Sequence, residues 1–153
     1  MLLKTFEIKK EWVDYNKHMN MAYYVLIFDI AWEVALEKLN MGKNASEEFN
    51  RSTMVVETNT KYLKEVFEGE KVEIRVSFFD YDKFRLHFKM DMIETKTKKL
   101  SATMEWISLY IDLSKRKVAE FEDDKIKLMD EFIIENKSNF STQGLLFSSE
   151  LKK

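Results

Sequence analysis

The sequence predicts an α+β fold: one curved antiparallel sheet wrapped around a long buried helix, with a second helix near the C-terminal end. Three observations carry that expectation. Residues 21–39 are apolar on nearly every side. Four stretches of period-two alternation follow, separated by turn residues. A pattern of helical period then runs from Asp123 to Glu135. At 153 residues the chain has the length of one domain with a substantial core.

In chain order, residues 3–11 (LKTFEIKKE) read as a short strand with Phe6 and Ile8 on one face. The polar turn Asp14-Tyr15-Asn16-Lys17-His18 leads straight into the central segment. There the only charges are Asp29, Glu33, Glu37 and Lys38, and the three acids, spaced four apart, form one narrow stripe on a helix. The rest of the circumference carries Tyr23, Tyr24, Phe28, Trp32 and aliphatic residues. Such a helix is either buried or membrane-spanning, and the four charges argue against spanning. Asn20 is a plausible N-cap and Asn40-Met41-Gly42 a C-terminal stop, which gives roughly five turns. Lys43 to Arg51 reads as a polar connection.

From Ser52 the period becomes two. Met54, Val56, Thr58, Thr60 and Tyr62 share one face, with Glu57 on the other. After Glu68-Gly69-Glu70, Val72, Ile74, Val76 and Phe78 alternate with polar residues. Beyond Asp80-Tyr81-Asp82, Phe84, Leu86, Phe88 and Met90 oppose Arg85, His87, Lys89 and Asp91. In the last strand the apolar phase switches from Leu100, Ala102, Met104 and Trp106 to Ile107, Leu109, Ile111 and Leu113, as a β-bulge or strong bend would produce. Ile126, Met129, Phe132 and Ile133 give the terminal helix its apolar side, and Leu145-Leu146-Phe147 in the tail suits docking. The strands' apolar face needs a cover, and the early helix is the one element long and apolar enough to supply it. This is the hotdog architecture, expected over residues 1–122, with a helical extension and tail over 123–153. A helix apolar nearly all round is not fully buried by one sheet, so a homodimer or homotetramer is expected.

Composition excludes several classes. A formal charge of −2 offers no basis for a nucleic-acid partner. Without cysteine, disulfides, thiolate metal sites and cysteine nucleophiles are ruled out, and two histidines without an HExxH motif leave no expected zinc site. Three glycines in all leave no phosphate loop of the P-loop or Rossmann kind. The N-terminus lacks a signal-peptide core and no apolar run is long enough to span a bilayer, so the expectation is a cytoplasmic protein with no membrane partner.

The stretch Asp14–Asn20 resembles the active-site loop of hotdog-fold acyl-CoA thioesterases of the 4-hydroxybenzoyl-CoA thioesterase superfamily, whose pattern is Asp-x-Asp-x-x-Gly-His-x-Asn followed by the central helix. Anchored on His18 and Asn20, the second aspartate falls on Asp14, while the first falls on Trp12 and the glycine on Lys17. The resemblance implies that Asp14 is the catalytic carboxylate and that the amide of Met21 polarises the thioester carbonyl. A closer similarity over most of residues 10–121 (WVDYNKHMNMAYYV, VETNTKYLKEV, DYDKFRLH, SATMEWISLYIDL) is to the thioesterases linked to carnitine and betaine breakdown, including betainyl-CoA thioesterases. This chain departs from them at Lys17, and at Asn59 and Tyr110, where those relatives often have histidine. The resemblance therefore implies an acyl-CoA substrate carrying a short betaine-like or aromatic acyl group. No cofactor is implied, because CoA enters as part of the substrate.

The residues themselves fit that chemistry. Thioester hydrolysis needs a carboxylate that attacks or activates water, and donors for the developing oxyanion. Asp14 offers the first, unless it only organises a turn. The free amides at the start of the helix offer the second, helped by the helix dipole. His18 either assists proton transfer and orientation or caps the loop. Asn20 is foremost a cap that holds those amides in position. Trp12, Tyr15, Asn20, Tyr23 and Tyr24 are candidate substrate contacts, with Trp12 and Tyr15 beside the loop foremost for the pocket, although rings on a central helix are usually core. Asp29 and Glu33 are alternative carboxylates that a solvated or interface stripe explains more simply. His87, Lys83 and Arg85 are candidates for CoA phosphates, against the simpler reading of a charged sheet face. Two rival functions stay open at this stage, a non-catalytic acyl-CoA-binding hotdog protein and a hotdog dehydratase.

Overall fold

The computed structural model describes residues 1–147 and 151. Its elements are β1 (Leu2–Glu7), a single 3-10 turn (Lys10–Trp12), α1 (Met21–Lys38), α2 (Lys43–Phe49), β2 (Arg51–Tyr62), β3 (Lys71–Tyr81), β4 (Arg85–Glu94), β5 (Leu100–Asp112), β6 (Lys117–Val118) and α3 (Asp123–Asn136), followed by a 3-10 turn at Lys137–Asn139. The strands form one antiparallel sheet in the order β1-β3-β4-β5-β2, with the short β6 added to β5. One sheet around one long helix is the expected architecture.

Helix α1 buries Tyr24, Ile27, Phe28, Ala31, Trp32, Ala35 and Leu36. The two alanines remove side-chain bulk where the helix lies against the sheet. Trp32 fills the centre, stacked on Phe88 with ring centroids 3.6 Å apart and set edge-on to Trp106 at 6.4 Å. Truncating a ring in such a position costs about 3–5 kcal/mol. Asn20 caps the helix by accepting from the Ala22 amide at 3.0 Å. At the other end Asn40, not Gly42, takes the left-handed conformation (φ 52°). Met41 N–H donates to the Leu36 carbonyl (2.8 Å) and Asn40 N–H to that of Glu37 (3.1 Å), the paired bonds of a Schellman stop. Among the described residues no helix is long and apolar enough to cross a membrane.

Four expectations change on contact with the structure. The polar connection at Lys43–Phe49 is a helix of seven residues whose one buried side chain is Ala45; with so little apolar surface it shows no periodicity in the sequence. A bulge at Ser77 puts Phe79 into the core and turns Phe78 to the other face. A bulge at Val56 breaks the single face read from Met54 to Tyr62. The irregularity expected in β5 at Trp106–Ile107 therefore lies in its neighbour. β5 itself is regular there and is buried on both sides, which is why both phases of its pattern are apolar.

What covers the second side of β5 is the C-terminal segment. Met129 and Phe132 of α3 join the main core, Phe132 meeting Phe79 edge-on at 5.1 Å. The chain then runs back over the outer face: Ser141 N–H donates to the Ser77 carbonyl (2.9 Å), and Phe147 is buried near the ring of His87. The docking expected of Leu145-Leu146-Phe147 is thus realised through Phe147. Residues 148–150, 152 and 153 of the expected 123–153 extension lie outside the described residues.

Candidate functional site

The turn before α1 is a tight hairpin. Val13 bridges Met19, Lys17 N–H donates to the Asp14 carbonyl (2.9 Å) and Asp14 N–H to the His18 carbonyl (3.3 Å). This three-residue loop needs a left-handed residue at its last position, normally glycine. Lys17 occupies it with φ 68°. The backbone shape that a glycine would favour is therefore kept, with a lysine under modest strain. The hairpin is pinned to its surroundings by Met19 N–H on the Val66 carbonyl (2.8 Å) and Asn20 N–H on the Trp12 carbonyl (2.9 Å).

Within that frame Asp14 is half-buried, and its carboxylate accepts from Asn16 N–H (2.8 Å) and from the Asn20 side-chain amide (3.2 Å). Asn20 has two functions at once: its Oδ1 caps Ala22 while its Nδ2 holds Asp14. Among the described residues no acceptor meets the Met21 amide, as expected at the first turn of a helix. His18 Nδ1 lies 3.2 Å from the Met19 carbonyl, which only accepts, so that nitrogen carries the proton. Nε2 is left 3.9 Å from Glu65 Oε1.

A cleft of about 220 Å³ opens beside the helix start, lined by His18, Met19, Met21, Tyr24, Tyr62, Leu63, Lys64 and Glu65. Tyr24 hydroxyl donates to the Lys64 carbonyl (3.4 Å), and burial, its leading cause, raises its pKa above the ordinary tyrosine value. Of the expected site residues, His18, Met21 and Tyr24 line this cleft, and Asp14 and Asn20 are joined by their hydrogen bond. The structure does not bring the other three to it. Trp12 and Tyr23 stack on each other at 5.8 Å, and Tyr15 stands 93% exposed at the hairpin tip. The wall from Tyr62 to Glu65 was not among the expected site residues. Its signal was the end of the alternation at Tyr62, where Leu63-Lys64-Glu65 leave the strand.

The remaining candidates find other partners. Glu33 lies on the outward stripe of α1 beside a separate cleft with Met41 and Lys43, and its carboxyl is pushed up by partial burial, then by Asp29 and Glu37. Arg85 is held by Asp82 (2.6 Å) and Lys83 by Glu120 (2.8 Å). His87 is not on a charged surface at all. It is fully buried, with Nε2 2.8 Å from Glu105, so it is not open to a phosphate. Tyr110 is buried and donates its hydroxyl to Glu122 (2.7 Å). Among the described residues no cluster of metal-ligating side chains occurs.

Comparison with known proteins gives a consistent picture. The family described as the Thioesterase-like superfamily matches residues 8–132. A betainyl-CoA thioesterase of Pseudomonas aeruginosa is 29% identical over 125 residues, covering 80% of this chain and 79% of that protein. Among solved structures, a Staphylococcus aureus protein determined in complex with CoA superposes with a TM-score of 0.82 at 22% identity, over 100% of this chain and 94% of that one. The DHNA-CoA thioesterase of Staphylococcus aureus does so with a TM-score of 0.78 at 18% identity, over 88% and 92%. The chain thus belongs to the thioesterase-like superfamily and is a thioester hydrolase on the hotdog fold.

Proposed function

We propose that the chain hydrolyses a short-chain acyl-CoA to the free acid and CoA, with a betaine-like acyl group as the first substrate to try and an aromatic one as the second. One observation above the others supports this reading: a single side chain, Asn20, ties the Asp14 carboxylate to the helix start whose first amide has no acceptor among the described residues. The two groups that thioester hydrolysis requires are thereby held in one rigid unit.

In this reading the thioester carbonyl oxygen accepts from the Met21 amide as negative charge develops on it, assisted by the positive end of α1. Asp14 either takes the proton from a water whose oxygen bonds to the carbonyl carbon, or attacks that carbon itself to form an anhydride that water then opens. Where water attacks, collapse breaks the carbon–sulfur bond and the CoA thiolate leaves with the proton that Asp14 took. Where Asp14 attacks, the carbon–sulfur bond breaks as the anhydride forms, the thiolate takes its proton from solvent, and the water that opens the anhydride returns one to solvent. His18 at the cleft wall orients the leaving group. The half-open cleft at His18, Met21 and Tyr24 receives the thioester. The test is thiol release from a panel of acyl-CoAs, betainyl-CoA included, by wild type and Asp14→Asn. Activity that is equal in both proteins removes Asp14 from the mechanism, and the absence of thiol release with CoA esters still bound favours a binding protein.

The working unit of this proposal is at least a dimer. β2 pairs with β5 on one side only, and its bulged centre exposes Met54, Val55 and Val56, while the neighbouring surface of α1 exposes Val25 and Leu26. A long apolar edge of this kind needs a cover, and a twofold-related copy supplies one by antiparallel pairing of β2 with β2. Light scattering is expected to return an even multiple of 18.4 kDa; a monomer at working concentration removes this part of the proposal.

A further inference from the structure

We propose that Tyr62, set edge-on against Tyr24, is the end stop of the acyl cleft and limits the acyl group to about two to four carbons. The inference rests on the thioesterase reading above and deepens it, by naming the residue that selects among acyl groups.

Helix geometry sets the depth. Met21 and Tyr24 are three residues apart on α1, so they share a face and lie about 4.5 Å apart along the axis. Helix side chains lean toward the N-terminus, which tips the Tyr24 ring back over the turn that starts at Met21. An acyl group whose carbonyl oxygen sits at the Met21 amide therefore meets this ring within one turn. Tyr24 is poorly placed to yield: it is buried, and its hydroxyl donates to the Lys64 carbonyl (3.4 Å). Met19, also buried and held through its N–H on the Val66 carbonyl (2.8 Å), forms a further fixed part of the lining.

Tyr62 closes what Tyr24 leaves open. The two rings meet edge to face, with centroids 5.2 Å apart. Tyr62 is the last residue of β2 and pairs with Ala102 of β5, and just beyond it Leu63 N–H and Lys64 N–H both donate to the Ser101 carbonyl (2.9 and 3.0 Å). The backbone that carries the ring is thus anchored where the strand ends. The ring itself is 46% exposed, so its outer side meets solvent, and Leu63 beside it is exposed too. The cleft measures about 220 Å³, less than the roughly 300–1,000 Å³ of sites that take drug-sized ligands. Without the Tyr62 ring it would open onto Leu63, and a longer chain would have apolar surface to follow.

The experiment is kcat/KM by thiol release over straight-chain acyl-CoAs from acetyl to octanoyl, for wild type, Tyr62→Phe, Tyr62→Val and Tyr62→Ala. Alongside it runs calorimetric titration with S-butyl-CoA and S-octyl-CoA, thioethers that are bound without turnover. Wild type is expected to lose efficiency beyond butanoyl. A methylene that finds apolar cover is worth about fourfold. The octanoyl-to-butanoyl ratio is therefore expected to rise about tenfold or more in Tyr62→Ala, by less in Tyr62→Val, and to hold its wild-type value in Tyr62→Phe. The thioether affinities are expected to shift in the same order. A merely structural role lowers every member together and leaves the ratio unmoved. Valine, a strand former, keeps the test decisive should the alanine form not fold.

Equal ratios in wild type and the truncated variants overturn the proposal, and so does a wild type that prefers octanoyl to butanoyl. The two readings fail separately. No thiol release from any acyl-CoA sinks the thioesterase reading, while the thioether ratios still decide the stop. Thiol release with a ring-independent ratio sinks the stop alone.

Discussion

Asp14 and Glu105 are two carboxylates built to a similar plan, each fed by backbone amide and side-chain donors in a region that also holds a histidine. They differ in what is left over. Glu105 is 3% exposed and its oxygens accept from His87 Nε2 (2.8 Å), Leu146 N–H (2.8 Å) and Phe147 N–H (2.9 Å), so the group is sealed by the chain itself. Asp14 is half-buried, has two local donors, and is tied through Asn20 to a helix start whose first amide is unmet among the described residues. The contrast teaches that a carboxylate with a histidine nearby does not by itself mark an active site. Open acceptor capacity beside an unfilled donor is the more telling sign.

Replacing each carboxylate in turn breaks the comparison at both ends. Asp14→Asn is expected to lower kcat by a factor on the order of 10² to 10⁴ with little change in unfolding midpoint, read by thiol release and by denaturant titration on the same preparation. Glu105→Ala is expected to show the reverse: a loss of about 2–4 kcal/mol in urea unfolding, because two amides and a buried imidazole lose their acceptor, with kcat changed only a few-fold. A variant of Glu105 that keeps its stability and loses turnover would show that Glu105, not Asp14, carries the chemistry.

Smaller changes sharpen the same contrast. Asn20→Ala removes the cap and one of the holds on Asp14, so it is expected to cost about 1 kcal/mol of stability and to reduce kcat as well. Asp14→Asn and Glu105→Ala, by contrast, each act mainly on one of the two, turnover or stability. Smallest is Lys17→Gly, which relieves the left-handed strain at the hairpin and is expected to leave stability higher or equal, by up to about 1 kcal/mol, with turnover retained. Thermal unfolding and thiol release together check both variants.

Much of this was legible in the sequence, and particular residues explain where legibility ended. Helix α1 was readable because its apolar circumference and the Asn20 cap act over a long stretch, and Asp123 set the start of α3. The hotdog arrangement followed from strand number and the need to cover one face. The bulges at Val56 and Ser77 were not readable, since a single inserted residue leaves no chemical mark and yet reverses every face beyond it. The burial of His87 was missed for a related reason: a polar residue alternating with Leu86 and Phe88 looks solvent-facing until a distant segment covers it. In the candidate site, the loop and helix start were local in sequence, whereas the wall from Tyr62 to Glu65 is joined to them only by the fold.

The seal on Glu105 also has a consequence for how the chain is made. Its two amide donors, Leu146 and Phe147, are synthesised 41 and 42 residues after it, when the whole sheet has already been translated. Until they arrive, a nascent sheet carries a carboxylate awaiting burial on its outer face, and the last side of β5 stays wet. Completion of the outer layer thereby waits for residues 146 and 147. A stop codon between residues 140 and 146 would release a protein with every strand and helix present and its outer layer unfinished.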